Sequence, residues 1–284
     1  MTSPVEPPES AVVEAVHRAI AEDLLPLGDL TSALLPEGLR ATARFVSRDV
    51  GVLAGRACAT ETFTQIDPSV TLTWSVGDGD AVQPGTVLAE ATGALASILT
   101  AERTALNFLG HLSGIATRTR QFVDAAGDGA RIWDTRKTTP GLRSLEKAAV
   151  RAGGGANHRG NLSDWILLKD NHIALFGITE AVARARVMWP GRTVHVECDR
   201  LDQVLEALAA GADALLLDNM TPAQVTECVE AAAASPRRPL VEASGGISLD
   251  TVAAYAASGV DCISIGGLTN SAPVLDIGLD IDPI

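Results

Sequence analysis

The chain has few aromatic side chains, few lysines and no closely spaced cysteines. Aromatic residues make up 4% of its 284 residues although 46% are hydrophobic. The core must therefore consist mainly of Ala, Val, Leu and Ile, which suits helices packed on parallel strands. The four cysteines form no Cys-x-x-Cys pair, which argues against a zinc site and indicates reduced, buried thiols.

Long apolar runs and targeting signals are also missing. No run approaches the length that spans a membrane, and residues 1–10 are rich in Pro and Glu rather than basic and then apolar. The net charge of −13 argues against a nucleic-acid partner. We therefore expect a soluble cytoplasmic protein with no membrane partner.

One window reverses the overall charge. Residues 131–172 contain eight Lys or Arg against four acids, so the window carries +4 and the rest of the chain carries −17. A cationic region in an anionic protein predicts a site for small anions. The alternative is a solvated helix face, which would explain Arg143, Lys147 and Arg151 because they are spaced by four.

Lysine is used at three positions only, Lys137, Lys147 and Lys169. Two of them, Lys137 and Lys169, come shortly after strand-like apolar runs. An ammonium is a compact point charge, whereas guanidinium is a planar fork, so the choice of Lys suggests specific roles. Chance placement is the alternative.

The first part of the chain has the pattern of a small α/β unit. Helices are predicted at 11–20 and 57–66 and strands at 41–46, 50–54 and 70–76, with two more short strands between 77 and 88. That last hairpin pattern resembles biotinyl and lipoyl carrier domains. It has no lysine to modify, so we reject a carrier function.

Two further features follow from capping and turn residues. Residues 24–36 are predicted as a loop with an ordered turn at Gly28 to Ser32. Thr100 is predicted to cap a long helix over 101–120.

From residue 130 onward, short apolar runs alternate with helical patterns. Six strands are predicted, at 131–133, 165–168, 194–196, 214–217, 240–241 and 262–265. Thr179, Thr221 and Ser248 are predicted to begin helices between them, and residues 201–210 to form another. No Gly-x-Gly-x-x-Gly fingerprint follows a strand, so the pattern favours an α/β barrel over a doubly wound sheet.

In such a barrel the residues after each strand meet at one mouth. Ser244-Gly245-Gly246 and Gly266-Gly267 follow the last two strands and predict a phosphate site, with simple tight turns as the alternative. Glu197 and Asp218 end neighbouring strands. Their carboxylates could hold ribose hydroxyls or Mg²⁺, or stabilise a cationic sugar, unless they only satisfy loop backbone.

The cationic candidates are best described as one group facing that mouth. They are Arg136, Lys137, His158, Arg159 and Lys169, with Arg103 from the earlier helix. Arginine forks suit carboxylates, so the group predicts a multiply charged anion. We interpret His111 and His172 as structural.

A series of motifs in this order resembles one family. The motifs are Ala101-Glu102-Arg103-Thr104, Asp134-Thr135-Arg136-Lys137-Thr138, Asn157-His158-Arg159, Lys169-Asp170-Asn171-His172, Leu217-Asp218-Asn219 and Glu242-Ala243-Ser244-Gly245-Gly246. They are similar to those of quinolinate phosphoribosyltransferases over nearly the whole chain. The resemblance implies a homodimer or higher oligomer that uses Mg²⁺ to convert quinolinate and phosphoribosyl pyrophosphate into nicotinate mononucleotide, CO₂ and pyrophosphate for NAD biosynthesis.

The resemblance also implies a domain division. It predicts an N-terminal α/β sandwich domain over residues 1–112 and a catalytic α/β barrel of the type II phosphoribosyltransferase kind over 113–272. The tail, residues 273–284, is predicted to return to the first domain.

Residue roles implied by the resemblance follow the motif positions. Substrate-binding roles fall on Arg103 (from the partner subunit), Thr135, Arg136, His158, Arg159, Lys169, Ser244, Gly245, Gly246, Gly266 and Gly267. The residues implied to bind the two quinolinate carboxylates are Arg103, Arg136, His158, Arg159 and Lys169, and the serine and glycines are implied to hold the 5-phosphate. Catalytic roles fall on Lys137, between quinolinate and pyrophosphate, and on Glu197 and Asp218, near ribose or Mg²⁺, which is expected through the substrate rather than as a direct protein-bound metal.

Two positions depart from the family pattern. Asn270 stands where the family often has His near the phosphate, and Asn161 stands where it usually has Gly. Three alternatives stay open: a sister phosphoribosyltransferase acting on nicotinate or another aromatic acid, a Schiff-base aldolase using Lys169, and a non-catalytic anion-binding protein.

Overall fold

The computed structural model describes residues 6–281, which divide into two compact units. Within that range the first unit comprises residues 6–120, 138–154 and 267–281, and the second comprises 121–137 and 155–266. Residues 1–5 and 282–284, at the outer ends of the predicted domains, lie outside the described residues. The predicted domain boundaries at 112 and 272 stay predictions.

The secondary structure alternates along the chain. The strands are β1 (Arg40–Ser47), β2 (Gly51–Val52), β3 (Thr71–Trp74), β4 (Ala81–Val82), β5 (Val87–Ala94), β6 (Arg131–Trp133), β7 (Ile166–Leu168), β8 (Val194–Cys198), β9 (Ala214–Asp218), β10 (Leu240–Ser244), β11 (Cys262–Ser264) and β12 (Ile277–Ile281). The helices are α1 (Glu9–Leu24), α2 (Arg56–Ile66), α3 (Leu95–Ala126), α4 (Arg143–Ala152), α5 (Asp170–Phe176), α6 (Ile178–Met188), α7 (Leu201–Ala209), α8 (Pro222–Ala234), α9 (Val252–Ala256) and α10 (Gly267–Asn270).

The first unit is built around an antiparallel sheet in the order β12-β1-β5-β3. Alternate residues of β1 and β5 are buried, as expected for a sheet with one face on a core. Phe45 on β1 meets Phe63 on α2 edge to face with ring centroids 6.0 Å apart. Leu88 and Ile98 are fully buried in the same cluster. This sheet with its helices is the α/β sandwich that we predicted.

The second unit contains six parallel strands in the order β6-β11-β10-β9-β8-β7. If the two ends of this sheet were joined, the strands would follow one another in chain order from β6 to β11. Among the described residues no strand pairing joins β6 to β7, so the sheet is open there. Such an order brings the carboxyl ends of all six strands to one edge. The predicted parallel, barrel-like architecture is confirmed, and each of the six predicted strands is present.

Three predicted helix starts are wrong, and at two of them, Thr100 and Thr179, the side chain or amide is engaged by a residue distant in the chain. Helix α3 begins at Leu95, and Thr100 lies inside it and donates to Asp29 Oδ2 over 2.8 Å. Thr179 lies inside α6, where its amide donates to Glu206 Oε1 on α7 over 3.0 Å. Ser248 opens a turn, and α9 begins only at Val252. Thr221 does cap α8, with Gln224 completing a capping box.

Several smaller predictions can also be compared with the structure. The ordered turn is confirmed, because Asp29 Oδ1 accepts hydrogen bonds from the amides of Thr31 and Ser32. The solvated-face interpretation is wrong for Lys147, which is 6% exposed. All four cysteines are free and buried, as predicted. No helix among residues 6–281 has both the length and the apolar composition needed to span a membrane.

Candidate active site

A cavity of about 350 Å³ opens at the carboxyl ends of the parallel strands, wholly within the second unit. Its size is in the range of small-molecule sites. The lining residues come from five strand ends and two loops. They are Thr135, Arg136, Lys137, His158, Arg159, Leu167, Lys169, Glu197, Leu216, Asp218, Glu242, Ser244 and Ser264.

The strands deliver these side chains in two layers. Lys169, Glu197, Asp218 and Ser244 stand at or just after the ends of β7, β8, β9 and β10. Two residues earlier on the same strands come Leu167, His195, Leu216 and Glu242, and Ser264 ends β11. Because residues i and i+2 of a strand point to the same face, the second set lies below the first.

The β6 side of the mouth is fixed by a buried carboxylate. Asp134, directly after β6, is fully buried. Its Oδ1 accepts from the His158 amide over 2.9 Å and its Oδ2 accepts from Asn157 Nδ2 over 2.6 Å. Beside it, Thr135 Oγ1 accepts from the Lys137 amide over 3.0 Å. One carboxylate therefore holds the His158-Arg159 loop against the strand that carries Arg136 and Lys137.

Positive charge is concentrated in this cavity despite partial burial. Arg159 is 7% exposed, and its Nη1 donates to Trp165 O over 3.4 Å. Burial lowers the pKa of the Arg159 guanidinium, and the neighbouring Arg136 lowers it further. Two mutually repelling guanidiniums in one cavity are stabilised when an anion binds between them.

Carboxylates line the same cavity as the cations. Glu197 Oε2 forms an ion pair with Lys169 Nζ. Asp218 Oδ2 accepts from Asn219 Nδ2 over 2.7 Å. Glu242 is fully buried; its Oε1 accepts from Ser264 Oγ, and its Oε2 lies 3.4 Å from His158 Nε2. The cavity thus combines cations with carboxylates, and Lys169 and His158 lie directly against two of those carboxylates.

The loop after β10 needs glycine at its first position. Gly245 has φ +95°, and a Cβ there would lie 2.3 Å from Asn219 Oδ1 and 2.7 Å from Asn219 N. Gly246 follows with φ +61°. Backbone in this conformation can turn consecutive N–H groups toward an anion, which agrees with the phosphate role predicted for this loop.

Sequence comparison identifies the family. The models of the N-terminal and C-terminal domains of quinolinate phosphoribosyl transferase match residues 29–113 and 115–280. The chain belongs to the quinolinate phosphoribosyl transferase family. These two matches cover nearly all of the described chain.

Curated relatives and a solved structure agree with that placement. The chain is 42% identical to nicotinate-nucleotide pyrophosphorylase [carboxylating] of Mycobacterium leprae (strain TN), over 95% of this chain and 97% of the relative. It is 45% identical to the probable nicotinate-nucleotide pyrophosphorylase [carboxylating] of Bacillus subtilis (strain 168), over 89% of this chain and 88% of the relative. The nicotinate-nucleotide pyrophosphorylase of Francisella tularensis superposes with a TM-score of 0.94 at 36% identity, covering 99% of this chain and 100% of that one.

Most of the site residues predicted for this family member meet in the cavity. Arg136, Lys137, His158, Arg159, Lys169, Glu197, Asp218, Thr135 and Ser244 all line it. Gly245 and Gly246 continue from Ser244, and Gly266 and Gly267 follow β11, with Gly267 beginning α10. Arg103 lies exposed on α3 in the first unit. The roles assigned to these residues stay predictions.

Residues missed by the sequence reasoning form the lower layer. Glu242, Ser264, Leu167 and Leu216 line the cavity, and Asp134 supports it. The signal was available, because each of the first four lies two positions before a predicted site residue on its strand.

The histidines interpreted as structural have structural contacts. His111 Nε2 lies 2.8 Å from Oε1 of the fully buried Glu146. His172 Nδ1 accepts from the Lys169 amide over 3.1 Å at the start of α5. Of the two positions that depart from the family pattern, Asn161 Oδ1 accepts from the Ser163 amide and Asn270 Oδ1 accepts from Ser271 Oγ.

Proposed function

We propose that the protein transfers phosphoribose from phosphoribosyl pyrophosphate to quinolinate and decarboxylates the product, which yields nicotinate mononucleotide, CO₂ and pyrophosphate in NAD biosynthesis. The observation that carries the proposal is one cavity that brings the predicted cationic residues together with the carboxylates at the strand ends. Relatives named for this reaction at about 40% identity support the assignment.

Quinolinate would bind to the cationic residues that line the cavity. Arg136 and Arg159 offer planar forks suited to carboxylates, and Lys169 adds a point charge. His158, held through its own backbone amide by Asp134, offers a ring nitrogen at the same wall. A dicarboxylate relieves the repulsion between the two guanidiniums, whereas a neutral ring would leave it in place.

Phosphoribosyl pyrophosphate would lie between the late loops and Lys137. Ser244 with Gly245 and Gly246 would hold the 5-phosphate through hydroxyl and backbone donors. Glu197 and Asp218 stand at the ends of the neighbouring strands β8 and β9. Their carboxylates would accept hydrogen bonds from the ribose hydroxyls or stabilise positive charge developing on the sugar.

In the first step the quinolinate ring nitrogen forms a bond to the anomeric carbon. The bond from that carbon to pyrophosphate breaks, and its electron pair leaves with pyrophosphate, toward which Lys137 can direct positive charge. In the second step the bond from C2 to its carboxylate breaks and CO₂ leaves. The electron pair stays on C2 beside the cationic ring nitrogen until C2 takes a proton from water. Positioning and electrostatics carry both steps.

We expect Mg²⁺ to bind together with the diphosphate beside the carboxylates that line the cavity. Mg²⁺ prefers oxygen ligands and is usually held by one or two carboxylates with substrate phosphates. Asp218 and Glu197 are the carboxylates suited to this, directly or through water, although Lys169 already engages one Glu197 oxygen. When bound, Mg²⁺ would supply positive charge to the departing pyrophosphate.

We also propose that the enzyme works as a homodimer or higher oligomer and that Arg103 completes the quinolinate site of the partner subunit. Arg103 is exposed on α3, as a residue that serves a neighbouring subunit would be before assembly. Sedimentation velocity should give at least twice the 29.4 kDa chain mass. A monomeric, fully active enzyme would contradict this proposal.

Arg159→Ala tests the carboxylate-binding role. Loss of a bidentate pair, about 3 kcal/mol, should lower kcat/KM for quinolinate by about a hundredfold. Arg159→Lys keeps the charge without the fork and should recover only part of the loss. The control is Arg184→Ala, which removes an exposed arginine paired with Glu180 on α6 and should leave kinetics unchanged. Wild-type kinetics in both Arg159 variants would overturn the role.

A further inference from the structure

Three potential metal ligands lie close together beside the cavity, and two of them line it. They are His158, His195 on β8 and Glu242 on β10, which are 7%, 5% and 0% exposed. One ligand atom from each lies within 4.8 Å of the other two, and His158 Nε2 lies 3.4 Å from Glu242 Oε2. None of the substrate roles above requires His195 or the second oxygen of Glu242.

Two of the three groups have a buried polar atom that is available to ligate a metal ion. Among the residues that the structure describes, Glu242 Oε2 and His195 Nδ1 accept or donate no hydrogen bond although both are buried. Buried polar atoms are normally satisfied, so each exception calls for an explanation. Imidazole nitrogens and carboxylate oxygens are both common metal ligands.

The surroundings hold the three side chains in place. Ser264 Oγ donates to Glu242 Oε1, which orients the carboxylate and leaves Oε2 directed toward the histidines. His195 stacks on Trp165 with ring centroids 5.1 Å apart and an interplanar angle of 22°. Asp134 fixes the His158 backbone. Secondary contacts of this kind orient ligands in metal sites.

The ligand set and spacing select the kind of metal. In a tetrahedral zinc site, bonds of about 2.1 Å place neighbouring ligand atoms about 3.4 Å apart, which matches the His158–Glu242 separation. Two imidazoles and one carboxylate suit zinc, cobalt or nickel, whereas Mg²⁺ prefers an all-oxygen shell. We propose that His158, His195 and Glu242 form a binding site for a divalent transition-metal ion of the zinc class, with its fourth position open to the cavity.

This site would couple metal binding to the reaction. His158 and Glu242 both line the cavity, so a bound ion engages the ring that the dicarboxylate needs. Zinc should therefore weaken quinolinate binding, which makes the site inhibitory. That consequence rests on the proposed function, whereas metal binding itself does not.

Cobalt is a suitable probe because tetrahedral Co²⁺ absorbs visible light. The full-length, metal-free protein is titrated with Co²⁺ at neutral pH and then with Zn²⁺. We expect one equivalent of Co²⁺ with a visible d–d band that Zn²⁺ abolishes and that Mg²⁺ in excess does not. No band at millimolar Co²⁺, or a thiolate charge-transfer band indicating cysteine ligands, would overturn the proposal.

Matched variants assign the ligands. His195→Phe keeps an aromatic ring against Trp165 and should weaken Co²⁺ binding by at least the 10–100-fold typical of lost supporting contacts. His17→Phe makes the same change at an exposed histidine on α1 and should bind Co²⁺ like the wild type. Glu242→Gln is the second variant if His195→Phe misfolds by circular dichroism. Unchanged affinity in folded variants refutes the site.

The kinetic experiment separates the two proposals. At a buffered free Zn²⁺ concentration, the KM for quinolinate should rise in the wild type and stay constant in His195→Phe. A protein that binds Co²⁺ through His195 but never forms nicotinate mononucleotide would retain the metal site and refute the proposed function. A protein that forms nicotinate mononucleotide but binds no Co²⁺ would support the proposed function and refute the metal site.

Discussion

Asp134 offers the sharpest test of how the site is held together. It is fully buried directly after β6 and accepts hydrogen bonds from the Asn157 side chain and the His158 amide over 2.6 and 2.9 Å. Hydrogen bonds to a charged group contribute about 1.5–3 kcal/mol each. Asp134→Ala removes both and leaves two donors buried, so the free energy of unfolding should fall by about 3–5 kcal/mol.

The conservative variant gives a graded result. Asp134→Asn retains one amide oxygen, but its NH₂ group must face one of the two donors. It should therefore lose one hydrogen bond and gain a donor–donor contact. We expect its free energy of unfolding to fall by about 2–4 kcal/mol. Asp128→Ala, at an exposed position in the turn after α3, is the control and should change stability by less than about 0.5 kcal/mol.

Urea unfolding followed by circular dichroism measures these differences. Activity should also be compared with that of Val225→Ala, which destabilises the same unit through its core on α8. Only the Asp134 variants should raise the KM for quinolinate, because only they release His158. If Asp134→Ala unfolds within about 0.5 kcal/mol of the wild type, the buried-carboxylate reasoning is wrong.

Three further predictions concern Gly245, Asp29 and Lys169. Gly245→Ala should lower the free energy of unfolding by at least about 2 kcal/mol, because the new Cβ adds a close contact with Asn219 to the strain of a positive φ. Gly211→Ala, at φ +78° with open space around it, should lower it by only about 1 kcal/mol in the same urea assay. Hydrogen bonds from Ser32 lower the pKa of Asp29 to about 2. The ionised Asp29 therefore stabilises the fold above the unfolded pKa near 3.8, and this stabilisation should fade as the pH drops toward 2. The melting temperature of Asp29→Ala should lack this part of the decline with falling pH. Lys169 pairs with Glu197, the contact of an ammonium rather than of the neutral amine a Schiff base requires, so borohydride should trap no carbonyl substrate on it; a trapped adduct would favour the aldolase.

The sequence was most informative where local chemistry and topology agree. Apolar runs followed by Lys169, Glu197 or Asp218 marked strand ends, because buried parallel strands are short and their carboxyl ends are polar. The topology then required those residues to meet. The cavity accordingly contains most of the residues predicted for it.

Sequence patterns failed where a long-range contact decided the outcome. Thr100 has the chemistry of a cap, but its hydroxyl serves Asp29, 71 residues away, and the helix continues through it. His195 lies inside an apolar strand, and nothing local indicates that β10 places Glu242 close to it. Such pairings depend on sheet order and register, which only the folded chain supplies.

The most direct test of the central claim is turnover. The protein is incubated with phosphoribosyl pyrophosphate and Mg²⁺, with quinolinate in one reaction and nicotinate in the other, and nicotinate mononucleotide and CO₂ are measured. We predict both products from quinolinate and no nucleotide from nicotinate. Nucleotide from nicotinate alone would identify a phosphoribosyltransferase that acts on nicotinate. The absence of product from both reactions would contradict the proposed function.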